Sequence, residues 1–207
     1  MTTMDMIMRT APVIPVLVVE DVAHAIPIAQ ALVAGGLRVL EVTLRTAAAL
    51  QVIHEMRTVP GAIVGAGTVL NCRDLDAALG AGAEFIVSPG LTERLARTAH
   101  DREVPFLPGI ANAGDIMRGL DLGLDRFKFF PAEASGGLKT LKALAAPFRH
   151  ARFCPTGGIT QASAPEWLGE EAVLCVGGSW LVGKGVPDAE AITAAARKAA
   201  TLELVKP

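Results

Sequence analysis

Two charged residues sit in stretches that a folded chain would bury. Lys128 lies in Arg126-Phe127-Lys128-Phe129-Phe130, between strand-forming aromatics, whereas Lys139, Lys142, Lys184, Lys198 and Lys206 lie in helical, loop or terminal sequence. A buried ammonium is costly unless paired. A lysine that gives up its proton in such surroundings is the standard nucleophile for building a Schiff base on a carbonyl compound. The other reading of Lys128 is a structural ion pair with Glu41 or Glu133. Glu41 poses the same question from the acidic side. In an extended Val39-Leu40-Glu41-Val42-Thr43 it shares one face with Val39 and Thr43, and a carboxylate held among apolar groups is suited to moving a proton. Arg45 follows four residues later. Its planar fork matches a substrate carboxylate, and a surface position beside a helix start is the alternative.

Glycine-rich stretches supply a second kind of chemistry. Gly65-Ala66-Gly67-Thr68, Pro155-Thr156-Gly157-Gly158 and Gly177-Gly178-Ser179 each read as a turn after a strand. The first fails the dinucleotide pattern GxGxxG because Leu70 occupies its last glycine. Gly178 to Gly185 nearly matches a nucleotide-binding P-loop, but Gly185 replaces the serine or threonine that would hold magnesium. The two late glycine pairs fit a phosphate cradle instead, made of loop N–H groups with the N-terminus of a short helix. Simple tight turning is the alternative.

The elements that must carry these residues alternate from end to end. Apolar runs at 13–19, 39–44, 63–69, 85–88, 106–110, 127–130, 152–155 and 172–176 are separated by Ala- and Leu-rich stretches with helix starts at Glu20-Asp21, Thr46, Asn71, Thr92, Asn112 and Ser163. Glycines such as Gly35, Gly82 and Gly123 end those stretches. Eight strand–helix units in 207 residues predict an α/β chain folded as one (β/α)8 TIM barrel over residues 1–207. An open doubly wound sheet is the runner-up. Glu41, Val87 and Lys128 each fall five residues past a glycine, at Gly36, Gly82 and Gly123. Equal offsets place the three side chains at one depth on one face, so an acid and a base would meet in the mouth of the barrel.

Composition limits the partners. With 51% hydrophobic residues, the chain is far from a disordered composition; 19 basic against 21 acidic residues leave no cationic surface for nucleic acid. No uncharged apolar run reaches the length of a membrane helix. Val13 to Val19 lacks the flanks of a secretion signal, since Asp5 precedes it, Pro12 and Pro15 interrupt it and Glu20-Asp21 follows it. Cys72, Cys154 and Cys175 lack metal-ligand spacing and read as reduced thiols of a cytoplasmic protein. His24, His54, His100 and His150 are scattered, without the spacing of ligands or of a triad.

Seven segments in unbroken order, VIPVLVV at 13–19, LEVTLRT at 40–46, GAGTV at 65–69, SPGLT at 88–92, FKFFPAE at 127–133, CPTGGI at 154–159 and GGSWLV at 177–182, closely resemble the KDPG/KHG aldolase family. The resemblance weakens after Val182, and the segment before residue 12 is shorter than is usual. It implies a class I aldolase that uses no metal or other cofactor. Such an enzyme cleaves 2-keto-3-deoxy-6-phosphogluconate, a phosphorylated 2-keto-3-deoxy sugar acid of the Entner–Doudoroff pathway, to pyruvate and glyceraldehyde 3-phosphate, and 4-hydroxy-2-oxoglutarate to pyruvate and glyoxylate. By the same resemblance Lys128 forms the imine, Glu41 moves protons, Arg45 and Thr68 hold the pyruvyl carboxylate, and Pro89 and Phe130 wall the pocket. Gly157 also joins the substrate-binding set; Gly158, Gly178 and Ser179 receive the phosphate. Thr156 falls where the family chooses the configuration at C4, and the resemblance implies a cytoplasmic homotrimer. Two other classes remain open to the same residues: a phosphate-binding barrel isomerase with Glu41 as base, and a sugar-acid binding protein without catalysis.

Overall fold

The computed structural model describes residues 3–202. Thr3 starts helix α1 (Met4–Met8) by accepting from the Met6 N–H. Strands and helices then alternate: β1 (Val13–Leu17), α2 (Ala25–Ala34), β2 (Val39–Thr43), α3 (Ala49–Met56), β3 (Ile63–Gly67), α4 (Cys72–Ala81), β4 (Ile86–Val87), α5 (Glu93–Asp101), β5 (Phe106–Leu107) and β6 (Gly109–Ile110). The second half continues with α6 (Ala113–Asp121), β7 (Arg126–Phe129), α7 (Gly137–Ala145), β8 (Arg152–Pro155), α8 (Ala164–Leu168), β9 (Val176–Gly178) and α9 (Ala189–Ala200). Asn71, Thr92 and Asn112 begin their helices as their types predict, each accepting from the N–H three residues on. Thr46 does not. Its hydroxyl donates to the Val19 carbonyl at 2.7 Å, and α3 starts three residues later.

All the strands pair in parallel, in two arcs ordered β5-β4-β3-β2-β1-β9 and β6-β7-β8. β5 and β6 are one strand position broken at Pro108, which has no N–H to give the ladder. The arcs join again where bridges Phe153 to Val173 and Thr156 to Gly177 link β8 to β9. Counting β5 and β6 together, eight strands close a ring with the helices outside, the barrel expected from the sequence. The open sheet is thereby set aside.

Strand alternation sorts the core into two layers. Outward Leu40, Val42, Phe127, Phe129 and Phe153 pack under the helices. Inward Ile14, Val39, Phe85, Val87, Leu107, Cys154 and Cys175 fill the barrel together with Met4, Ile7 and Met8 of α1. That helix closes the N-terminal end of the ring, and Asp5 ties it to Arg126 at the start of β7 at 2.7 Å. The short N-terminal helix is an addition to the expected pattern.

Two boundaries are corrected. The last strand, expected at 172–176, runs instead from Val176 to Gly178. Leu174 and Cys175 are apolar because they are buried; only Val173 of the preceding stretch forms a bridge. Gly65 and Gly67, and likewise Gly177 and Gly178, belong to β3 and β9 themselves rather than to turns after them. Among the described residues no helix is long and apolar enough to cross a membrane.

Candidate active site

Lys128 and Glu41 meet inside the barrel. Nζ donates to Glu41 Oε1 at 2.9 Å, and the two residues are only 6% and 3% exposed. Their equal offset from the preceding glycine does set them at one depth: Glu41 pairs with Gly65 on β3, and Lys128 with Gly109 on β6 and Cys154 on β8. Glu133, the other candidate partner, accepts instead from Trp167 Nε1 at 3.1 Å. A methyl group on Gly67 would come within 2.8 Å of Glu41 Cδ and closer still to Oε1. The glutamate therefore lies flat over bare β3 backbone, which explains a glycine as the last residue of that strand. The Phe130 ring flanks the lysine, its centroid 5.4 Å from Nζ, within cation–π range.

Around this pair is a cavity of about 260 Å³ at the C-terminal ends of the strands, where barrels of this class place their chemistry. Of the sequence candidates, Lys128, Glu41, Arg45, Thr68, Pro89, Phe130, Thr156, Gly157, Gly158 and Ser179 all line it. Gly178 does not; the wall at that point is Gly177, one residue earlier. Gly177 has no side chain because Thr156 occupies the space, as Glu41 does over Gly67. Val16, Thr43, Ile159 and Gly177 complete the lining without having been singled out for binding. The period-two alternation from Ile14 and Glu41 already marks Val16 and Thr43 as inward. A larger hollow of about 580 Å³ beside Lys142, Arg149 and Arg152 is open and lies at the opposite end of β8, away from the lysine–glutamate pair.

The reacting end is braced by side chains. Thr43 Oγ1 donates to the Leu17 carbonyl at 2.8 Å, and Arg45 Nε donates to Thr43 Oγ1 at 3.2 Å. Thr68 stands at φ +59° just past β3. For a β-branched residue that left-handed conformation costs about 1–3 kcal/mol and points to function more than to stability. Ser88 donates to the Gly90 carbonyl at 2.6 Å and shapes the turn that presents Pro89. Beneath the pair, burial pushes the Cys175 thiol well above its ordinary value, with Cys154 and the charge of Glu41 adding to the effect. No group of three His, Cys, Asp or Glu side chains among the described residues is arranged to hold a metal ion.

The opposite wall is mostly backbone. Gly157 and Gly158 adopt φ of +104° and +82°. The Thr156 and Gly157 carbonyls accept from the N–H groups of Ala132 and Glu133 at 2.8 and 3.1 Å, locking the loop after β8 to the loop after β7. Ser179 leaves β9 exposed to solvent. The short helix expected beside this cradle is absent among the described residues: a turn at Trp180 and Leu181 follows β9, and the next helix begins at Ala189.

A closed parallel barrel with a buried amine and carboxylate in hydrogen-bond contact, in a cavity lined also by an arginine, belongs to the enzymes equipped to act on keto acids through a lysine imine. The comparisons with known proteins agree. The family model of KDPG and KHG aldolase matches residues 4–195, and the chain belongs to that family. It is 61% identical to the 2-dehydro-3-deoxy-phosphogluconate aldolase of Zymomonas mobilis over 203 residues, 98% of each chain. It superimposes on a crystal structure of the 2-keto-3-deoxy-6-phosphogluconate aldolase of Zymomonas mobilis ZM4 with 3-phosphoglycerate at a TM-score of 0.96 and 61% identity, covering 98% of this chain and 97% of that one. The KDPG aldolase of Legionella pneumophila, with pyruvate captured at low pH as a covalent carbinolamine, matches at a TM-score of 0.92 and 39% identity over 97% and 99% of the chains.

Proposed function

We infer that this chain is a class I, Schiff-base aldolase that cleaves 2-keto-3-deoxy-6-phosphogluconate to pyruvate and D-glyceraldehyde 3-phosphate, with 4-hydroxy-2-oxoglutarate as a second substrate. The observation that carries the reading is the 2.9 Å bond between buried Lys128 and Glu41 inside a cavity that Arg45 also lines. An amine attacks a carbonyl only when it is neutral, and Glu41 is placed to take the proton that Nζ must lose.

Lys128 adds to C2 of the substrate, water leaves, and the resulting iminium draws electrons from the C3–C4 bond. Glu41 accepts the C4 hydroxyl proton as that bond breaks, and glyceraldehyde 3-phosphate departs. Glu41 then returns a proton through water to C3 of the enamine, and hydrolysis frees pyruvate. Arg45 and Thr68 hold the pyruvyl carboxylate, Pro89 and Phe130 exclude water, and Thr156 faces C4. Gly157, Gly158 and Ser179 take the phosphate through N–H groups and a hydroxyl, and Gly178, outside the cavity lining, leads the chain into Ser179. The relative that carries 3-phosphoglycerate supports a phosphorylated ligand, and the carbinolamine of the Legionella enzyme supports covalent chemistry on pyruvate. The chain works as one barrel domain in a reducing cytoplasm, a reading its three free cysteines support. It assembles as a homotrimer, and exposed Met6, Leu70, Met117 and Val186 offer apolar surface for such contacts.

The test is pyruvate release from 2-keto-3-deoxy-6-phosphogluconate, coupled to lactate dehydrogenase. Wild type turns over, whereas Lys128→Met loses at least about 10⁴-fold in kcat with its fold intact, since the covalent route is closed. Turnover by Lys128→Met at the wild-type rate overturns the reading, and so does an inactive wild type.

A further inference from the structure

Arg45 is exposed, and among the described residues no carboxylate lies within ion-pair distance of it. A long cationic side chain in that situation samples many rotamers, and a ligand that needs it in one place must order it. The structure supplies one anchor. Arg45 Nε donates to Thr43 Oγ1 at 3.2 Å.

Thr43 is itself fixed. It is 2% exposed, and its hydroxyl has a single proton, which goes to the Leu17 carbonyl at the end of β1 at 2.8 Å. A hydroxyl whose proton is committed can meet a guanidinium only through its lone pairs. The bond to Arg45 therefore has one possible sense, and it uses the Nε–H. The guanidinium is left with its Nη1 and Nη2 donors, the end of the fork farthest from the chain. One residue past Arg45, Thr46 donates to the Val19 carbonyl at 2.7 Å, so the segment bearing Arg45 is held to the chain around the end of β1 on both sides.

We propose that Thr43 is a positioning residue: it aims Arg45 so that the Nη1–Nη2 edge, and not the Nε edge, meets the pyruvyl carboxylate. Thr43 touches no reacting atom in this scheme and acts through the arginine. The inference rests on the reading of Arg45 as the carboxylate ligand, and it predicts an effect on binding rather than on turnover.

The experiment compares Thr43→Val, Thr43→Ser, Arg45→Ala and the double variant Thr43→Val/Arg45→Ala, each assayed well below its melting temperature. The readouts are kcat and KM for 2-keto-3-deoxy-6-phosphogluconate and the pyruvate concentration that half-saturates inactivation by borohydride. Thr43→Val raises KM and the half-saturating pyruvate about tenfold, the scale of one hydrogen bond to a charged group, with kcat within about threefold of wild type. Thr43→Ser keeps both bonds and stays within about twofold of wild type, which separates the positioning effect from any loss of stability. In the Arg45→Ala background Thr43→Val adds nothing further, because the two residues act as one unit. An Arg45→Ala enzyme with unchanged KM removes the carboxylate reading and the proposal with it. A raised KM in Arg45→Ala with an unchanged KM in Thr43→Val, or effects that multiply in the double variant, overturns the role of Thr43 alone.

Discussion

The two walls of the cavity are built by different physics. The wall from β1 to β3 holds Glu41, Thr43 and Arg45 through side-chain bonds, with the glutamate and threonine 3% and 2% exposed. The wall after β8 and β9 presents exposed Gly158 and Ser179 and backbone in left-handed conformations, tied by backbone hydrogen bonds. Chemistry that moves a proton needs one atom in one place. Recognition of a phosphate needs several N–H donors around a charge, which tolerate modest shifts. The buried wall is therefore the one expected to be sensitive in kcat at Glu41, whereas its carboxylate-binding end, Thr43 and exposed Arg45, and the exposed wall bear on KM.

Gly67→Ala attacks the buried wall and carries the largest expected effect. The new methyl group overlaps Glu41 Oε1, and the carboxylate has to leave its seat beside Lys128. A misplacement of that kind lowers kcat about 10²-fold, measurable by single-turnover pyruvate release; an unchanged kcat would mean the seat is irrelevant. Ser179→Asp attacks the exposed wall. A carboxylate facing the phosphate raises KM for 2-keto-3-deoxy-6-phosphogluconate about a hundredfold by like-charge repulsion. Saturation by pyruvate, which has no phosphate, is unchanged, and equal losses for both ligands would place the phosphate elsewhere.

The smallest expected effect lies at the far end of the barrel, where α1 is held by Asp5. Burial raises the Asp5 carboxyl, but hydrogen bonds and charge from Arg9 and Arg126 outweigh it and hold the group below its ordinary value. A carboxyl with a lowered folded-state value contributes stability above its unfolded value of about 4, and that contribution is lost as pH falls through the folded value. Asp5→Asn therefore lowers the melting temperature at pH 7 by a few degrees at most, and the gap to wild type closes as the pH is taken below about 4. Activity at pH 7 is unaffected, because the contact lies at the opposite end of the strands from Lys128.

The contrast between the walls also explains what could be read from the sequence. Lys128 and Glu41 were legible because a buried charge conflicts with its apolar neighbours, and because an equal count from a helix-ending glycine fixes depth in a strand of period two. The eight strands were legible as short apolar runs between helix starts and helix-ending glycines. The roles of Gly67 and Gly177 were not, since each glycine serves a side chain on a neighbouring strand, and adjacency of that kind arises only when the sheet closes. The last strand was misplaced because Leu174 and Cys175 are apolar through burial beneath the site, a signal that looks the same as a hydrogen-bonded strand. The five-residue α1 is stabilised by the barrel end it plugs, and so short a segment has little helix signal of its own. Thr43 was visible as an inward residue, but its hold on Arg45 depends on the Leu17 carbonyl of another strand.

The central claim is that Lys128 is the nucleophile. The most direct measurement adds pyruvate and sodium borohydride to the folded enzyme, digests it, and locates the reduced adduct by mass spectrometry. The account predicts one adduct, on the peptide that contains Lys128, with none in Lys128→Met. An adduct on another lysine, or none on folded wild-type protein, would contradict it.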